Sequence, residues 1–300
     1  MRTRPLGPLE VSVVGLGCNN FGGRIDEAAT FAVIDAALDA GITFFDTSNT
    51  YGNHGGSEKL IGRALQGRRD RVVLATKWGK PMGDGAGRRG SHDYILRAVE
   101  ASLRRLQTDV IDLYQHHEED PDTPLEETVA TVEQLVADGT VRAWGTSNYR
   151  AETLERVRAL ASDAFVSEQS QYSLLRRDAE AELLPTCARL GLGFIPYFPL
   201  ASGLLTGKVS REAPPAAGTR LHGQEISDED LARVEALRGW ADAHDRSLLE
   251  VAIGSLLAVE PVVSVIAGAT KPEQVRANAA AGTWVPTGAQ LEEVSDTKSV

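Results

Sequence analysis

One repeated unit runs through the chain and limits the folds that it can adopt. Each unit is a short β-branched or otherwise apolar run, followed by a longer stretch in which apolar residues recur every three or four positions, as in an amphipathic helix. The apolar runs mostly start about 24 to 39 residues apart, which is typical of β–α–β units with parallel strands. The predicted strands cover residues 11–16, 42–46, 72–77, 110–115, 141–146, 165–169, 194–197 and 262–266.

Eight of these units in one chain favour a closed (β/α)8 barrel, the TIM barrel. The composition does not shift along the sequence, so we expect a single domain over residues 1–300. After the seventh predicted strand comes one long irregular stretch, residues 201–226, which contains Pro214-Pro215 and several glycines. A loop of this length in a compact domain more often serves a function than merely connects two elements.

The competing fold is the doubly wound dinucleotide-binding sheet, whose first strand is followed by the fingerprint G-x-G-x-x-G. Gly15 and Gly17 match the first two glycines of this fingerprint, but Asn20 stands at the position of the third. The incomplete fingerprint favours the barrel.

Charge and cysteine content restrict the partners and the compartment. A formal net charge of −11 argues against binding to nucleic acid, which requires a basic surface. The two cysteines, Cys18 and Cys187, form no CxxC pair, as is typical of the reducing cytoplasm. The first residues lack the apolar stretch of a signal peptide, and the longest apolar run, around residues 251–259, is too short to span a bilayer. We expect a cytoplasmic protein without nucleic-acid or membrane partners.

Polar side chains stand where the predicted apolar strands end. In a (β/α)8 barrel the carboxyl ends of all strands open on one face, where catalytic residues gather. Any one of these side chains could simply cap a helix or a loop, but their convergence on one face indicates a site. They are Asp46, Lys77, His117, Thr146, Ser147, Asn148, Gln169 and Tyr197, with Tyr51 following Asp46 in FFDTSNTYG (44–52).

The types of these side chains suit the reduction of a carbonyl group. Tyrosine has an ordinary pKa of about 10, and it donates a proton more readily if the Lys77 cation stabilises its phenolate and lowers that pKa. Asp46 would hold Lys77 in place, His117 would donate a hydrogen bond to the carbonyl oxygen, and Tyr51 would protonate it. Because no side chain donates hydride, the set implies a nicotinamide cofactor.

Two other interpretations of these residues are weaker. His116, His117 and the acidic residues 118–120 look like a metal-binding cluster, but adjacent residues of a strand point to opposite faces and cannot easily bind one ion. We therefore expect no metal site. Ser147 could be a nucleophile, but no G-x-S-x-G motif surrounds it.

Several longer motifs identify a family resemblance. The chain resembles the aldo-keto reductases over nearly its whole length. This resemblance implies a TIM barrel with an N-terminal β-hairpin and a long loop after strand 7, and NADPH bound in an extended conformation without a Rossmann domain. The matching motifs are LDAGITFFDTSNTYG (38–52), SEKLIGRAL (57–65), ATKWG (75–79), DLYQHH (112–117), TPLEET (123–128), WGTSNY (144–149), PLASGLLTGK (199–208) and GATKPEQVRAN (268–278).

Carried over by position, the resemblance implies that Tyr51 is the proton donor and that Asp46, Lys77 and His117 complete a catalytic tetrad. The family histidine follows the strand tyrosine, here Tyr114, by three residues, which selects the second of the two adjacent histidines. The residues that match cofactor-binding positions of the family are Cys18, Asp46, Ser147, Asn148, Gln169, Tyr197, Phe198, Pro199, Leu200, Ser202, Lys208, Arg220, Gly268, Thr270, Gln274 and Asn278.

The resemblance also implies roles within this set. On the nicotinamide side, Ser147, Asn148 and Gln169 would hold the carboxamide, Tyr197 would stack on the ring, and residues 198–205 would line the pyrophosphate.

On the adenosine side, Lys208 and Arg220 would reach the 2′-phosphate. The pocket would lie in residues 268–278, where the helix that begins near Pro272 offers its positive end to phosphate. Gln274 stands where some relatives place an arginine, so NAD(H) stays open beside NADP(H) as the cofactor.

The resemblance implies an NADP(H)-dependent oxidoreductase that reduces aldehydes or ketones to alcohols, with a small carbonyl compound as its partner. Two alternatives stay open: a nicotinamide-binding auxiliary or sensor subunit of the same fold, and a sugar or alcohol dehydrogenase that works oxidatively. The presence of His117 favours an enzyme. Glu118 and Glu119 replace an aromatic residue and a proline of many relatives, which suggests an acidic pocket for polar or cationic substrates. No oligomeric state follows from the sequence.

Overall fold

The computed structural model describes residues 1–83, 85 and 87–297. An antiparallel hairpin of β1 (Thr3–Leu6) and β2 (Leu9–Ser12) precedes the main sheet. The main sheet has eight parallel strands, in which β10 and then β3 to β9 lie side by side. These strands are β3 (Val14–Gly17), β4 (Phe44–Asp46), β5 (Val73–Trp78), β6 (Ile111–His116), β7 (Val141–Ser147), β8 (Phe165–Gln169), β9 (Gly193–Phe194) and β10 (Val265–Gly268).

The main sheet closes into a barrel. The last strand, β10, pairs in parallel with the first, β3, starting with Val265 opposite Val14. At the other edge, β9 meets the residues just before β10 through a bridge between Phe194 and Val262. The predicted (β/α)8 barrel and the predicted N-terminal hairpin are therefore confirmed.

Helices connect the strands and cover the outer face of the barrel. They are α1 (Glu27–Asp39), α2 (Tyr51–Ala64), α3 (His92–Leu106), α4 (Leu125–Ala137), α5 (Ala151–Leu160), α6 (Leu183–Leu190), α7 (Asp228–Ala243), α8 (Leu248–Leu257), α9 (Pro272–Ala281) and α10 (Gly288–Asp296). Short 3₁₀ helices occupy Arg69–Arg71, Asp178–Glu180 and Ala201–Thr206. Within the described ranges, no helix is long and apolar enough to cross a membrane.

The predicted strands overlap the observed ones but differ at their bounds, by up to three residues for 11–16, 194–197 and 262–266. The predicted strand 11–16 covers the end of β2 and the start of β3, because the hairpin ends at Ser12. The Ser12 hydroxyl accepts hydrogen bonds from the backbone N–H groups of Thr43 and Phe44 at 3.0 and 3.1 Å. The predicted strand 194–197 is continuous only as far as Phe194, and Tyr197 pairs again through a bridge to Gln171. Pro196 has no N–H group, so it cannot continue the ladder of hydrogen bonds.

The inward face of the barrel carries an apolar layer below a polar one. Phe44 and Leu113 point inward and pack with Leu6, Leu9 and Val11 of the hairpin, which closes the amino-terminal end of the barrel. Because side chains alternate along a strand, residues two positions after an inward apolar residue also point inward, at the carboxyl end. The residues placed in this way are Asp46, Lys77 and Gln115.

The N-terminal segment also bonds to the C-terminal part of the chain. Arg2 donates a hydrogen bond from Nη2 to the carbonyl of Gly282 at 2.9 Å, and Arg4 donates from Nη2 to the carbonyl of Leu257 at 2.7 Å. The two ends of the sequence are therefore held together around the first and last barrel strands.

The predicted long loop after the seventh barrel strand is confirmed. It includes the short helix Ala201–Thr206 and continues to α7. Leu205, Val209 and Leu221 of this loop are buried in a separate apolar cluster with Val234 of α7 and Val251 of α8. The loop is thus anchored on these two helices.

Gly62 of α2 packs directly against the end of α3, where a Cβ would lie 2.6 Å from the carbonyl oxygens of Arg105 and Leu106. We expect Gly62→Ala to lower the free energy of unfolding by about 1–3 kcal/mol, because the added methyl group overpacks this contact. Gly239→Ala in α7 is the matched control, since nothing lies within 4 Å of its Cβ position.

In the control, the helical preference of alanine should raise the free energy of unfolding by about 0.5–1 kcal/mol. Urea denaturation followed by circular dichroism measures both changes. Equal effects of the two substitutions would contradict the packing of α2 on α3.

Candidate active site

A buried ion pair lies at the carboxyl ends of β4 and β5. Lys77 Nζ is 2.7 and 2.6 Å from the two carboxylate oxygens of Asp46, and it donates a third hydrogen bond to the carbonyl of Thr47 at 3.0 Å. Lys77 is fully buried and Asp46 is 2% exposed. Burial lowers the pKa of Lys77, and the charge of Asp46 opposes this shift. The lysine and the carboxylate therefore compensate each other away from water.

Two amides fix the carboxylate of Asp46 from the other side. Gln115 Nε2 and Gln169 Nε2 donate to Asp46 Oδ1 at 3.1 and 2.9 Å. Gln169 Nε2 also lies 3.2 Å from Gln115 Oε1. The sequence analysis missed Gln115, although its position two residues after the inward-facing Leu113 could have revealed it.

Tyr51 lies above this ion pair. Lys77 Nζ is 5.5 Å from the centroid of the Tyr51 ring, and the His117 ring meets the Tyr51 ring edge-on at 5.9 Å between centroids. The four residues of the predicted tetrad thus meet at one place.

The backbone after Tyr51 turns sharply. Residues 52–55 all adopt left-handed conformations, with φ of 67°, 57°, 63° and 103°. A Cβ at Gly52 would lie 2.4 Å from the carbonyl oxygen of Phe21 and 2.6 Å from the backbone nitrogen of Ser57. Only glycine fits here, and the close approach of these backbones fixes the place of Tyr51.

The prediction that Lys77 lowers the pKa of Tyr51 is wrong. Burial raises the pKa of the Tyr51 phenol well above its ordinary value, and the negative charge of Asp46 raises it further. The physical reason is that burial disfavours the charged phenolate and that the Asp46 carboxylate lies beside the Lys77 cation. Tyr51 is therefore protonated across the physiological pH range.

His117 and His116 point in different directions, as the sequence predicted. His117 Nδ1 lies 3.1 Å from Ser48 Oγ, whereas His116 Nδ1 lies 2.7 Å from the hydroxyl of Tyr149, and the His116 ring stacks on Trp78. Burial, followed by the charge of Lys77, lowers the pKa of His117 to about 2. The imidazole beside Tyr51 is therefore neutral.

Ser147, Asn148 and Tyr197 come together next to His117. Asn148 Nδ2 donates to the carbonyl of His117 and to Ser147 Oγ, both at 3.0 Å, and Asn148 Oδ1 accepts from the Tyr197 hydroxyl at 2.8 Å. Asn148 has a left-handed backbone with φ of 62°. These contacts fix an amide group at the rim of the barrel.

A buried carboxylate that the sequence analysis missed supports this turn. Glu168 of β8 accepts hydrogen bonds from the hydroxyls of Ser170 and Thr146, both at 2.6 Å, and from the backbone N–H of Tyr149 at 3.2 Å. Burial raises the pKa of Glu168 to about 7. A carboxylate inside an apolar strand was the available signal for this residue.

The long loop crosses to the residues after β3. Arg220 Nη2 donates to Asn20 Oδ1 at 3.1 Å and to Asn19 Oδ1 at 3.3 Å, and the guanidinium lies 5.2 Å from the centroid of the Phe198 ring. The ring of Phe198 also meets that of Tyr197 edge-on. The long loop therefore places the Arg220 cation over an aromatic ring beside the residues that follow β3.

The other predicted cofactor residues of this loop follow Phe198 along the chain. Pro199 is buried, and Leu200 packs partly buried against the apolar clusters that anchor the loop. Ser202 has a left-handed backbone with φ of 58°, and Lys208 is exposed beyond the short 3₁₀ helix.

The predicted adenosine-side residues lie around the start of α9. Gln274 Oε1 accepts from the backbone N–H of Thr270 at 2.7 Å, from its hydroxyl at 3.1 Å and from the N–H of Lys271 at 3.2 Å. Gln274 therefore caps its own helix. Gly268 is exposed at the end of β10, and Asn278 is buried in α9.

Cys18, a predicted cofactor-binding residue, packs in the main apolar cluster of the barrel. It is fully buried, and its thiol donates to the carbonyl of Leu16 at 3.4 Å. The next two residues, Asn19 and Asn20, contact Arg220 instead.

The two glutamates after His117 are balanced by arginines. Glu118 lies 3.7 Å from Arg89, and Glu119 lies 3.6 Å from the guanidinium of Arg150 and accepts from its backbone N–H at 3.0 Å. Arg89 and Arg150 therefore offset part of the negative charge of these two glutamates.

This architecture defines the class of the protein: a (β/α)8 barrel with its polar residues gathered at the carboxyl ends of the strands, where enzymes of this fold have their active sites. Comparison with known proteins gives the family. The model of the aldo/keto reductase family matches residues 13–296. The chain belongs to the aldo-keto reductase family of oxidoreductases.

One solved structure and two further proteins illustrate the similarity, which extends over most of the chain. An aldo-keto reductase, AKR11C1, from Bacillus halodurans in its holo form superposes with a TM-score of 0.83 at 34% identity, covering 100% of this chain and 98% of that one. The uncharacterized oxidoreductase YrpG of Bacillus subtilis is 39% identical over 89% of this chain and 86% of its own length. A probable voltage-gated potassium channel subunit beta of Oryza sativa is 34% identical over 93% of this chain and 89% of its own length.

Glu168→Gln tests the raised pKa of Glu168. Glu168 has a folded-state pKa of about 7, against an ordinary value of 4.5. Its contribution to the free energy of unfolding is therefore fully present below pH 4.5 and is lost as the pH rises through 7. We expect the glutamine variant, which keeps the shape without the charge, to be more stable than the wild type by about 3 kcal/mol at pH 8 and to lose this advantage near pH 5.

Thermal unfolding at the two pH values measures this difference. Glu10→Gln, at an exposed position of the hairpin, is the control and should show no pH-dependent change relative to the wild type. A parallel response of the Glu168→Gln variant and the wild type would contradict the buried titration.

Proposed function

We propose that the protein reduces aldehyde or ketone carbonyls to alcohols with NADP(H). The observation that carries this proposal is the meeting of the buried Asp46–Lys77 pair with Tyr51 and His117 at the carboxyl ends of the strands. The pair places a fixed cation beside a protonated phenol and a neutral imidazole, and this combination suits a carbonyl oxygen that gains negative charge.

The reaction needs a proton donor and a hydrogen-bond donor at that oxygen. Bound NADPH supplies the hydride to the carbonyl carbon. Tyr51 transfers its phenolic proton to the developing alkoxide, and the neutral imidazole of His117 donates a hydrogen bond to the same oxygen. The Tyr51 phenolate that remains is then reprotonated from water.

The residues beside this centre fit a nicotinamide cofactor. The amide of Asn148 lies between Ser147 and Tyr197, where it can hold a carboxamide, and the ring of Tyr197 can face a flat heterocycle. Gln169 lies beside this centre as well, because its Nε2 donates a hydrogen bond to Asp46. We assign these four residues to the nicotinamide end of the cofactor.

Positive charge in the long loop supports NADP(H) over NAD(H). Arg220 is held beside the residues that follow β3 by Asn19 and Asn20, and Lys208 lies exposed on the same loop. Because Gln274 caps its own helix and carries no charge, we assign recognition of the 2′-phosphate to Arg220 and Lys208.

The first test is Tyr51→Phe, which removes the transferable proton and keeps the ring. We expect kcat for an aldehyde substrate to fall roughly 100-fold or more, while NADPH binding is retained. Loss of NADPH absorbance with a panel of aldehydes, ketones, sugars and pyridoxal measures the rate. Tyr172→Phe is the control, because the Tyr172 hydroxyl bonds to Glu180 outside the site. A near-wild-type rate of the Tyr51 variant would exclude this mechanism.

Arg220→Ala tests the choice of cofactor. We expect the KM for NADPH to rise roughly 10-fold and the KM for NADH to change little, because a charged contact to the 2′-phosphate is lost. Arg211→Ala removes a cation from the same loop that is paired with Asp228 and Glu235, and it should leave both values unchanged. Equal rises for NADPH and NADH would show that Arg220 does not recognise the 2′-phosphate.

The rice relative favours a second candidate function, a nicotinamide-binding auxiliary subunit. Such a protein would bind NADPH tightly but oxidise it with no carbonyl of the panel. Alcohol oxidation with NADP⁺, measured at equal cofactor saturation, identifies the third possibility, a dehydrogenase that works in the oxidative direction.

A further inference from the structure

Ser48 lies in the short segment between the end of β4 and Tyr51. It follows the strand that ends at Asp46, precedes Tyr51 and is fully buried. Its hydroxyl oxygen lies 3.1 Å from Nδ1 of His117, and its carbonyl accepts a hydrogen bond from the backbone N–H of Tyr51 at 3.1 Å. Ser48 therefore contacts the imidazole of His117 and the backbone of Tyr51, the two residues that we assign to the carbonyl oxygen.

The hydrogen-bond partners of Ser48 Oγ restrict where its proton can point. The backbone N–H of Thr50 lies 3.2 Å away and can only donate, so it occupies one lone pair. The Thr50 hydroxyl, 3.0 Å away, can occupy the second. When the Thr50 hydroxyl donates, two acceptors remain for the hydroxyl proton of Ser48: His117 Nδ1 at 3.1 Å and the more distant Asn49 Oδ1 at 3.4 Å.

The state of His117 makes this direction decisive. The pKa of His117, lowered to about 2, leaves a single proton on the imidazole. If Nδ1 accepts from Ser48, that proton is on Nε2; if Nδ1 donates to Ser48, Nε2 is bare and cannot donate to a carbonyl oxygen. Among the described residues, the His117 side chain is seen to hydrogen-bond through Nδ1, which leaves Nε2 for a ligand.

We propose that Ser48 is a positioning residue: its hydroxyl donates to Nδ1 of His117 and so holds the imidazole as the Nε2–H tautomer, turned toward the substrate oxygen. The use of that proton in carbonyl reduction rests on the proposed function, whereas the tautomer itself does not. The backbone of Ser48 also holds Tyr51, so one short segment positions both the hydrogen-bond donor and the proton donor.

Nitrogen NMR of the ¹⁵N-histidine-labelled protein reads the tautomer directly and needs no catalysis. The sequence contains six histidines, and His117→Gln identifies the relevant signals by their loss. We expect a protonated Nε2 and an unprotonated Nδ1 in the wild type and in Ser48→Thr, and a mixture of tautomers in Ser48→Ala. A protonated Nδ1 in the wild type, or identical ring signals in wild type and Ser48→Ala, would overturn the proposal.

Steady-state kinetics test the consequence. We expect Ser48→Ala to lower kcat roughly 10-fold with little change in the KM for NADPH, and Ser48→Thr to restore most of the rate because it keeps the hydroxyl. Ser57→Ala is the matched control: it removes another buried hydroxyl near this loop, one that bonds to Thr47 and to the carbonyl of Cys18 and not to His117.

Equal losses in Ser48→Ala and Ser57→Ala, or a Ser48→Ala rate within twofold of the wild type, would remove the catalytic role of Ser48. If the wild type reduces no carbonyl, the proposed function fails, and the NMR signals still decide whether Ser48 fixes the tautomer. Circular dichroism of each variant verifies that it is folded.

Discussion

The lysine–carboxylate pair inside the barrel is the interaction on which the site depends. A fully buried ammonium group is costly unless a carboxylate and further acceptors surround it, and removing one partner of such a pair typically costs about 3–5 kcal/mol. Here Asp46 supplies both of its oxygens to Lys77, and Gln115 and Gln169 complete the carboxylate's hydrogen bonds. These four side chains come from four different strands, so the geometry of the site depends on the register between the strands of the barrel.

The pair also determines how the neighbouring groups titrate. Burial and the negative charge of Asp46 keep the proton on the phenol of Tyr51, and burial beside Lys77 favours the uncharged form of His117. Both groups thus remain donors over a wide pH range. A lysine without its carboxylate would instead draw Tyr51 toward the phenolate, which has no proton to give.

The sequence predicted the barrel well because its signal is local and repeated: apolar strands, amphipathic helices and polar strand ends each have a recognisable period. It also placed Asp46, Tyr51, Lys77 and His117 at one face, where the structure brings them together. It failed where the outcome depends on distances between strands. The sign of the pKa shift of Tyr51 depends mainly on the burial of its ring, which residue types alone do not give.

Other failures have similar physical causes. Gln274 carries no sequence signal that it bends back to cap α9, and the contact of Ser48 with His117 joins residues far apart in the chain. Glu168 stands out as a carboxylate in an apolar strand, but its complete burial and its three donors depend on contacts that the sequence does not show. Tertiary contacts, rather than residue types, give these side chains their properties.

The pairing of the first barrel strand with the last has a consequence for the chain during its synthesis. As β3 leaves the ribosome, its outer edge has no partner until β10, about 250 residues later, has also emerged. The edge of β9 waits for the same segment. Unpaired edges of this kind invite pairing with other chains, and long-range closure is slow. The bonds from Arg2 and Arg4 to the C-terminal part also form only then, so the nascent protein completes its barrel in one late event.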